Sequence, residues 1–218
     1  TLHEADRMAA QALEMALGRG GDQAALRTSN GFEFYGGVSK GIEKRNRVKT
    51  RIVAAALTDL IQNSENVIVM GHHFADLDCL GAAIGLTKAI RQMGRECVIA
   101  INAATNLASP LYDRYLQEGE SDLFLEPSMA IERVMRRTLL IVVDTHLPYF
   151  VESQELFKLC KTVAVIDHHR KMVGHIDNAV IFYHEPYASS ASEMVTELIQ
   201  YLCDDEDIDK NTAEALLS

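Results

Sequence analysis

From position 67 onward the chain alternates between short, continuous apolar runs and longer stretches of helical spacing. The runs are VIVM (67–70), CVIAI (97–101), LLIVV (139–143), VAVI (163–166) and VIFY (180–183), all rich in Val and Ile. A continuous run is expected of a strand covered on both faces, whereas a strand with one wet face alternates. Helical spacing fills most of the gaps, for example at 79–93 and 152–160. This order predicts an α/β fold with a doubly wound, mainly parallel sheet. Ligands of such sheets bind beyond the carboxyl ends of the strands.

Ahead of this region the pattern changes. Residues 2–17 have helical spacing and good helix formers, and "GRGGDQ" (18–23) breaks them with a turn. "AALR" and "FEFY" read as two hairpin strands closed by Gly36-Gly37. Residues 1–37 are too few to fold alone and are expected to be a helix/hairpin remnant of a preceding domain. A linker follows at 38–63, helical from about residue 40, and residues 64–218 form the main domain. The linker carries Lys40, Lys44, Arg45, Arg47, Lys49 and Arg51. A solvated helix face explains that run better than an anion site. The acidic "DDEDIDK" (204–210) reads as a loop and a helix start. The chain begins at Thr1 without methionine and stops at "EALLS" in mid-pattern, so a fragment of something longer is expected.

At 218 residues there is room for one good core plus an appendage. The net charge of −10 and pI of about 5.2 argue against duplex nucleic acid as a partner, but not against a small anionic substrate. Cys79, Cys97, Cys160 and Cys203 are far apart with no CxxC pair, so a reduced compartment is expected, without a disulfide framework or zinc ribbon. No signal peptide is visible in the sequence, and no apolar run approaches spanning length.

The chemistry lies at the ends of the predicted strands. After VIVM come Gly71, His72, His73, Asp76 and Asp78; after LLIVV come Asp144, Thr145 and His146; after VAVI come Asp167, His168, His169 and Arg170. A single aspartate there is usually a helix cap, and a single histidine a satisfied core or surface residue. Three coincident instances at one sheet edge are hard to explain that way. Carboxylates gathered in a partly buried crevice repel one another or take up protons unless cations hold them. Mixed imidazole and carboxylate ligands suit Mn²⁺, Fe²⁺, Mg²⁺ or Zn²⁺. Their number points to two ions about 3.5–4 Å apart sharing one carboxylate, the arrangement for in-line phosphoryl hydrolysis. His72 shares its parity with Asp76 and Asp78, which favours it over His73 as a ligand; His73 is left as a supporting group or substrate contact. Cys79 reads as an early helix residue packing inward.

Together, "GHHFADLD", "IVVDTH" and "VIDHHR" resemble the DHH phosphoesterase superfamily, and "EPYASSASEMV" (185–195) resembles its segment leading into the next helix. "LGRGGDQAAL", "FYGG" and "GIEKRNRVKTR" further resemble the junction of GdpP-type cyclic-di-AMP phosphodiesterases, membrane-anchored proteins in which a degenerate GGDEF domain precedes the DHH domain. The resemblance spans nearly the whole chain. It implies that residues 1–37 end the GGDEF-like domain, and that the parent sits at the cytoplasmic face of the cell membrane. One Mn²⁺ would take His72, Asp76 and Asp144, and a second Asp78, Asp144 and His168, with Mg²⁺ or Fe²⁺ as alternatives. His169 would sit beside the substrate phosphate, and Asp167 would orient the histidines that follow it. His73 and Arg170 would contact substrate. Ser190 with Glu193 fits a capping box. The implied reaction is two-metal hydrolysis of cyclic-di-AMP to linear pApA. The family's further metal aspartate falls beyond Ser218, so weak binding of the second ion and low turnover are expected of this segment alone. A short-oligonucleotide exonuclease, a manganese-dependent pyrophosphatase and a non-catalytic metal- or nucleotide-binding module are the competing readings. A homodimer is left open.

Overall fold

A computed structural model describes residues 5–6, 8–13, 23–28, 31–36, 47–203 and 208–217. The chain divides into two compact units, Thr1–Lys44 and Arg45–Ser218.

In the first unit, residues 5–6 and 8–13 are helical, and β1 (Gln23–Thr28) pairs antiparallel with β2 (Gly31–Gly36). The hairpin expected from the sequence is present, but it is not closed at Gly36-Gly37. Gly36 pairs with Gln23 at the open end of the ladder, and Thr28 pairs with Gly31 at the other. The predicted turn at 18–22, the linker start at 38–46 and the acidic residues 204–207 lie outside the described residues.

The second unit holds α1 (Arg47–Asn63), then β3 (Asn66–Met70), α2 (Leu77–Gln92) and β4 (Cys97–Ala100). Next come α3 (Ser109–Gln117), β5 (Phe124–Leu125), α4 (Pro127–Glu132) and β6 (Thr138–Val143). The chain continues through α5 (Gln154–Leu159), β7 (Thr162–Asp167), β8 (Ile181–His184), α6 (Ala191–Leu202) and α7 (Lys210–Leu217). All five predicted strands of this unit are present with ends shifted by one residue. The two-residue β5 and the helices α3 and α4 gave no sequence signal strong enough to name them.

The sheet order is β5-β4-β3-β6-β7-β8, with every neighbouring pair parallel. The α/β, doubly wound expectation is therefore met. Winding reverses between β3 and β6, and that switch point opens a crevice at the carboxyl edge. Side chains alternate between two cores: Val67 and Val69 face one, Ile68 and Met70 the other. Both faces are covered, which is why the strands carry continuous apolar runs between their polar ends. Each such fully buried Val, Ile or Leu stabilises the fold by about 1.5–3 kcal/mol over an exposed one.

The small residues of α2 have a packing reason. A Cβ on Gly81 would lie 2.2 Å from the Ala215 carbonyl oxygen, so α7 approaches as closely as it does only against glycine. Gly71, just after β3, is also closely approached: a Cβ there would meet Cys79 Sγ at 1.9 Å, so the thiol would have to shift.

Candidate functional site

β3 and β6 are neighbours, and β6 and β7 are neighbours, so the residues that follow these strands emerge side by side. After β3 the backbone turns sharply. His72 forms an isolated antiparallel bridge with Val151, and Phe74 sits at φ 64°. After β6, Asp144 sits at φ 57°. These are the non-glycine residues at positive φ among those described, and both lie in the crevice loops. Aspartate tolerates this region; for a bulky phenylalanine it is strained, at a cost of about 1–3 kcal/mol.

Asp144 is at the centre. It is only 2% exposed. Its Oδ2 lies 3.3 Å from His72 Nε2, and its Oδ1 lies 3.5 Å from His168 Nε2 and 3.5 Å from His169 Nδ1. Oδ1 is buried without a hydrogen-bond partner among the described residues. Around His72, Asp76 Oδ1 is 3.8 Å from Nε2 and also caps α2 by accepting from the Cys79 amide at 3.0 Å. Around His168, Asp78 Oδ2 is 3.5 Å from Nε2. Asp78 also accepts from two amides at the start of α6: Ala191 N at 2.8 Å and Ser192 N at 2.8 Å.

Two backbone carbonyls settle the ring roles. His72 Nδ1 donates to the His73 carbonyl at 2.9 Å, and His168 Nδ1 donates to the Ala188 carbonyl at 3.3 Å. Each Nε2 is thereby presented to Asp144. Carboxylate oxygens facing imidazole nitrogens beyond bonding distance are stabilised by a cation between them, whether a proton or a divalent ion. Two tight groups result, His72–Cys79–Asp144 and Asp144–His168–His169, with Asp144 in both. Neither group includes Asp76 or Asp78, so the structure gathers donors able to hold a metal ion around Asp144, with Cys79 and His169 standing closer than two of the predicted carboxylates.

The electrostatics agree. Burial alone would lower the pKa of His72, but the carboxylates of Asp144 and Asp76 outweigh it and raise it. His72 in turn holds Asp76 down at about 2. Asp144 raises His168 to about 9, and Asp167 raises His169. Burial works against ionised Asp167, yet its bonds from His169 and His146 keep it below the usual carboxylate range.

Of the other predicted residues, His169 donates from Nδ1 to Asp167 Oδ1 at 2.8 Å, and its side chain is 54% exposed. His73 turns away from Asp144: its Nδ1 lies 3.8 Å from Glu152 Oε1, and its ring packs on Phe74. Arg170 is exposed at the rim. Ser190 caps α6, accepting from the Glu193 amide at 2.9 Å. Glu193 reaches back from the first turn and accepts from the amide of Ser189 at 2.9 Å.

Three further contributors were given no role at the site by the sequence, and one of them, Phe150, no signal at all. Phe150 stacks on His72 with ring centroids 5.2 Å apart. Cys79 packs inward as expected, but its thiol also lies beside His72 and Asp144, and burial pushes its pKa up. His146, beside Thr145, proves to be wholly buried against Asp167.

Fold and site together define a doubly wound α/β protein with an imidazole–carboxylate centre at its sheet switch point. Residues 66–218 match the DHH family, N-terminal domain, and the chain belongs to that family. It is 42% identical over 207 residues to the cyclic-di-AMP phosphodiesterase GdpP of Geobacillus thermodenitrificans, covering 92% of this chain and 31% of that protein. It is 38% identical over 217 residues to the cyclic-di-AMP phosphodiesterase PdeA of Listeria monocytogenes, covering 97% and 33%. The chain thus spans about a third of the length of these relatives. Among solved structures, an exopolyphosphatase-related protein from Bacteroides fragilis shares the fold, with a TM-score of 0.62 at 19% identity over 77% of this chain and 48% of that one.

Proposed function

We propose that this chain is the catalytic segment of a metal-dependent phosphodiesterase that hydrolyses cyclic-di-AMP to linear pApA. One observation carries the metal-dependent part: Asp144 turns its two carboxylate oxygens toward different imidazoles, and Oδ1 has no hydrogen-bond partner. The choice of substrate rests on the two relatives named as cyclic-di-AMP phosphodiesterases, which match at least 92% of the chain.

In this reading His72, Asp76 and Asp144 hold one ion, and Asp78, Asp144 and His168 hold the other. When bound, two Mn²⁺ ions supply Lewis acidity toward the phosphoryl oxygens and lower the pKa of water. The protein fixes the geometry. The carbonyls of His73 and Ala188 keep the ligating rings in one tautomer, and the start of α6 holds both oxygens of Asp78. His169 offers its outer ring nitrogen to the substrate phosphate while Asp167 anchors the other. Arg170 and His73 contact the substrate at the rim. Residues 1–37 are read as the end of a degenerate GGDEF-like domain, and the parent as a membrane-anchored protein acting at the cytoplasmic face.

The test compares hydrolysis of cyclic-di-AMP, pApA and pyrophosphate by the Mn²⁺-loaded full-length protein, with products resolved by chromatography. Accumulation of pApA from the cyclic substrate is expected. Preferential cleavage of pApA or pyrophosphate would assign the site to a different phosphoester, and the absence of metal-dependent hydrolysis would overturn the reading.

A further inference from the structure

Behind the crevice lies a second cluster, His146, Asp167 and His184, compact enough in its donor atoms to hold an ion. Its hydrogen bonds show a different use. The Met172 amide donates to His146 Nε2 at 3.0 Å, so that nitrogen carries the lone pair and the ring proton is on Nδ1. His146 Nδ1 donates to Asp167 Oδ2 in a short contact, leaving this ring no nitrogen free for an ion. His184 Nε2 is engaged by the His169 carbonyl. Asp167 is 0% exposed, and its other oxygen accepts from His169 Nδ1 at 2.8 Å.

These bonds form one connected line that converges on Asp167: the Met172 N–H donates to His146, His146 donates to one oxygen of Asp167, and His169 donates to the other. Its far end matters because His169 has a competing option. His169 Nδ1 is also 3.5 Å from Asp144 Oδ1, the oxygen without a partner. If the Asp167 carboxylate rotates, His169 can turn its nitrogen to Asp144 and become a third imidazole on the shared aspartate. A second donor on Oδ2 resists that rotation, and the His146 ring, itself 1% exposed, supplies it.

We infer that His146 is a positioning residue for the reaction proposed above, acting through Asp167 to keep His169 off Asp144 with its outer nitrogen free for the substrate phosphate. The inference rests on that functional reading for its meaning, but the hydrogen-bond line is measurable without it. His146 also pins the following loop by two bonds, from Met172 N to its ring and from Ile176 N to its carbonyl at 2.8 Å. A purely structural anchor would act through these alone.

Two substitutions separate the roles. The amide nitrogen of asparagine occupies the place of Nδ1, so His146→Asn keeps the donor to Asp167 and loses the acceptor for Met172. The amide of glutamine reaches the place of Nε2, so His146→Gln keeps the Met172 acceptor and loses the donor to Asp167. The expected result is a kcat lower by about 10- to 100-fold in His146→Gln with KM unchanged, and near-normal kcat in His146→Asn. The reverse order, or an equal fall in both, overturns the inference. A second readout uses proton NMR of the metal-free protein, where the hydrogen-bonded Hδ1 of His169 should persist in His146→Asn and disappear in His146→Gln. Its persistence in His146→Gln overturns the inference whatever the kinetics. An intact Hδ1 pattern in a wild-type protein that hydrolyses none of the three phosphates counts against the phosphodiesterase reading and leaves the hydrogen-bond line standing.

Discussion

The two edges of the central sheet use the same kinds of charged residue in opposite ways. At the amino edge charges meet their opposites in water: Arg137 lies 3.7 Å from Glu65, Arg133 lies 3.2 Å from Glu96, and Arg91 lies 2.6 Å from Asp122. Such pairs are solvated and worth little. At the carboxyl edge Asp144, Asp76 and Asp78 have no arginine or lysine within ion-pair distance among the described residues, and imidazoles face them instead. The charges of these pairs at the first edge are matched in solvent. The second is arranged around charge that a further cation would satisfy, and it carries the strained backbone at Phe74. Charge count does not separate a site from a surface; burial without a matched partner does.

The contrast is broken most severely at Asp144. Asp144→Ala should reduce hydrolysis to background and abolish metal uptake, measured as Mn²⁺ stoichiometry by calorimetry. Full retention of two ions would show that the shared role is misassigned. Next is the glycine that lets the first loop form. Gly71→Ala drives a methyl into Cys79 Sγ and should destabilise the protein by about 1–3 kcal/mol in denaturant unfolding. Adding Cys79→Ala removes the clashing sulfur and should recover most of that loss. If it does not, the close approach is not what requires glycine.

A gentler probe is pH. The folded pKa of His168, about 9, lies above its ordinary 6.5. Its contribution to the stability of metal-free protein is therefore complete below about pH 6.5 and lost as pH rises through about 9. Asp76 behaves in the opposite sense: its contribution is present above 3.8 and lost as pH falls toward about 2. Thermal unfolding with chelator should show a decline on the alkaline side. Because an ion must displace the His168 proton, Mn²⁺ affinity should rise over the same window. A pH-independent affinity between 6.5 and 9 would remove His168 from the ligand set. The smallest effect belongs to the other edge. Arg133→Ala should change stability by less than about 1 kcal/mol and leave hydrolysis unaltered; a larger loss of activity would show that the amino edge is not merely surface.

Much of this was readable residue by residue. Apolar runs such as LLIVV marked strands buried on both faces, and Asp144, His168 and His169 were visible as polar residues set directly after such runs. The parity argument picked His72, which is the ring beside Asp144, but for a reason the structure does not share. The segment is not extended: Phe74 turns it, Asp76 caps α2, and Asp78 lies between His168 and the amides at the start of α6. His146 was seen without a use, because its partner Asp167 is 21 positions distant. Phe150 gave no signal, since nothing local marks a phenyl ring that will stack on a histidine.

Strand positions and the chemistry at their ends follow from local pattern, because burial on two faces demands apolar side chains until the strand stops. Which oxygen of Asp144 faces which imidazole does not follow from any local rule. It depends on β3 lying beside β6 and β6 beside β7, and on carbonyls and amides supplied by loops and by α6 far along the chain. Long-range packing sets those contacts, and a linear pattern carries no record of them.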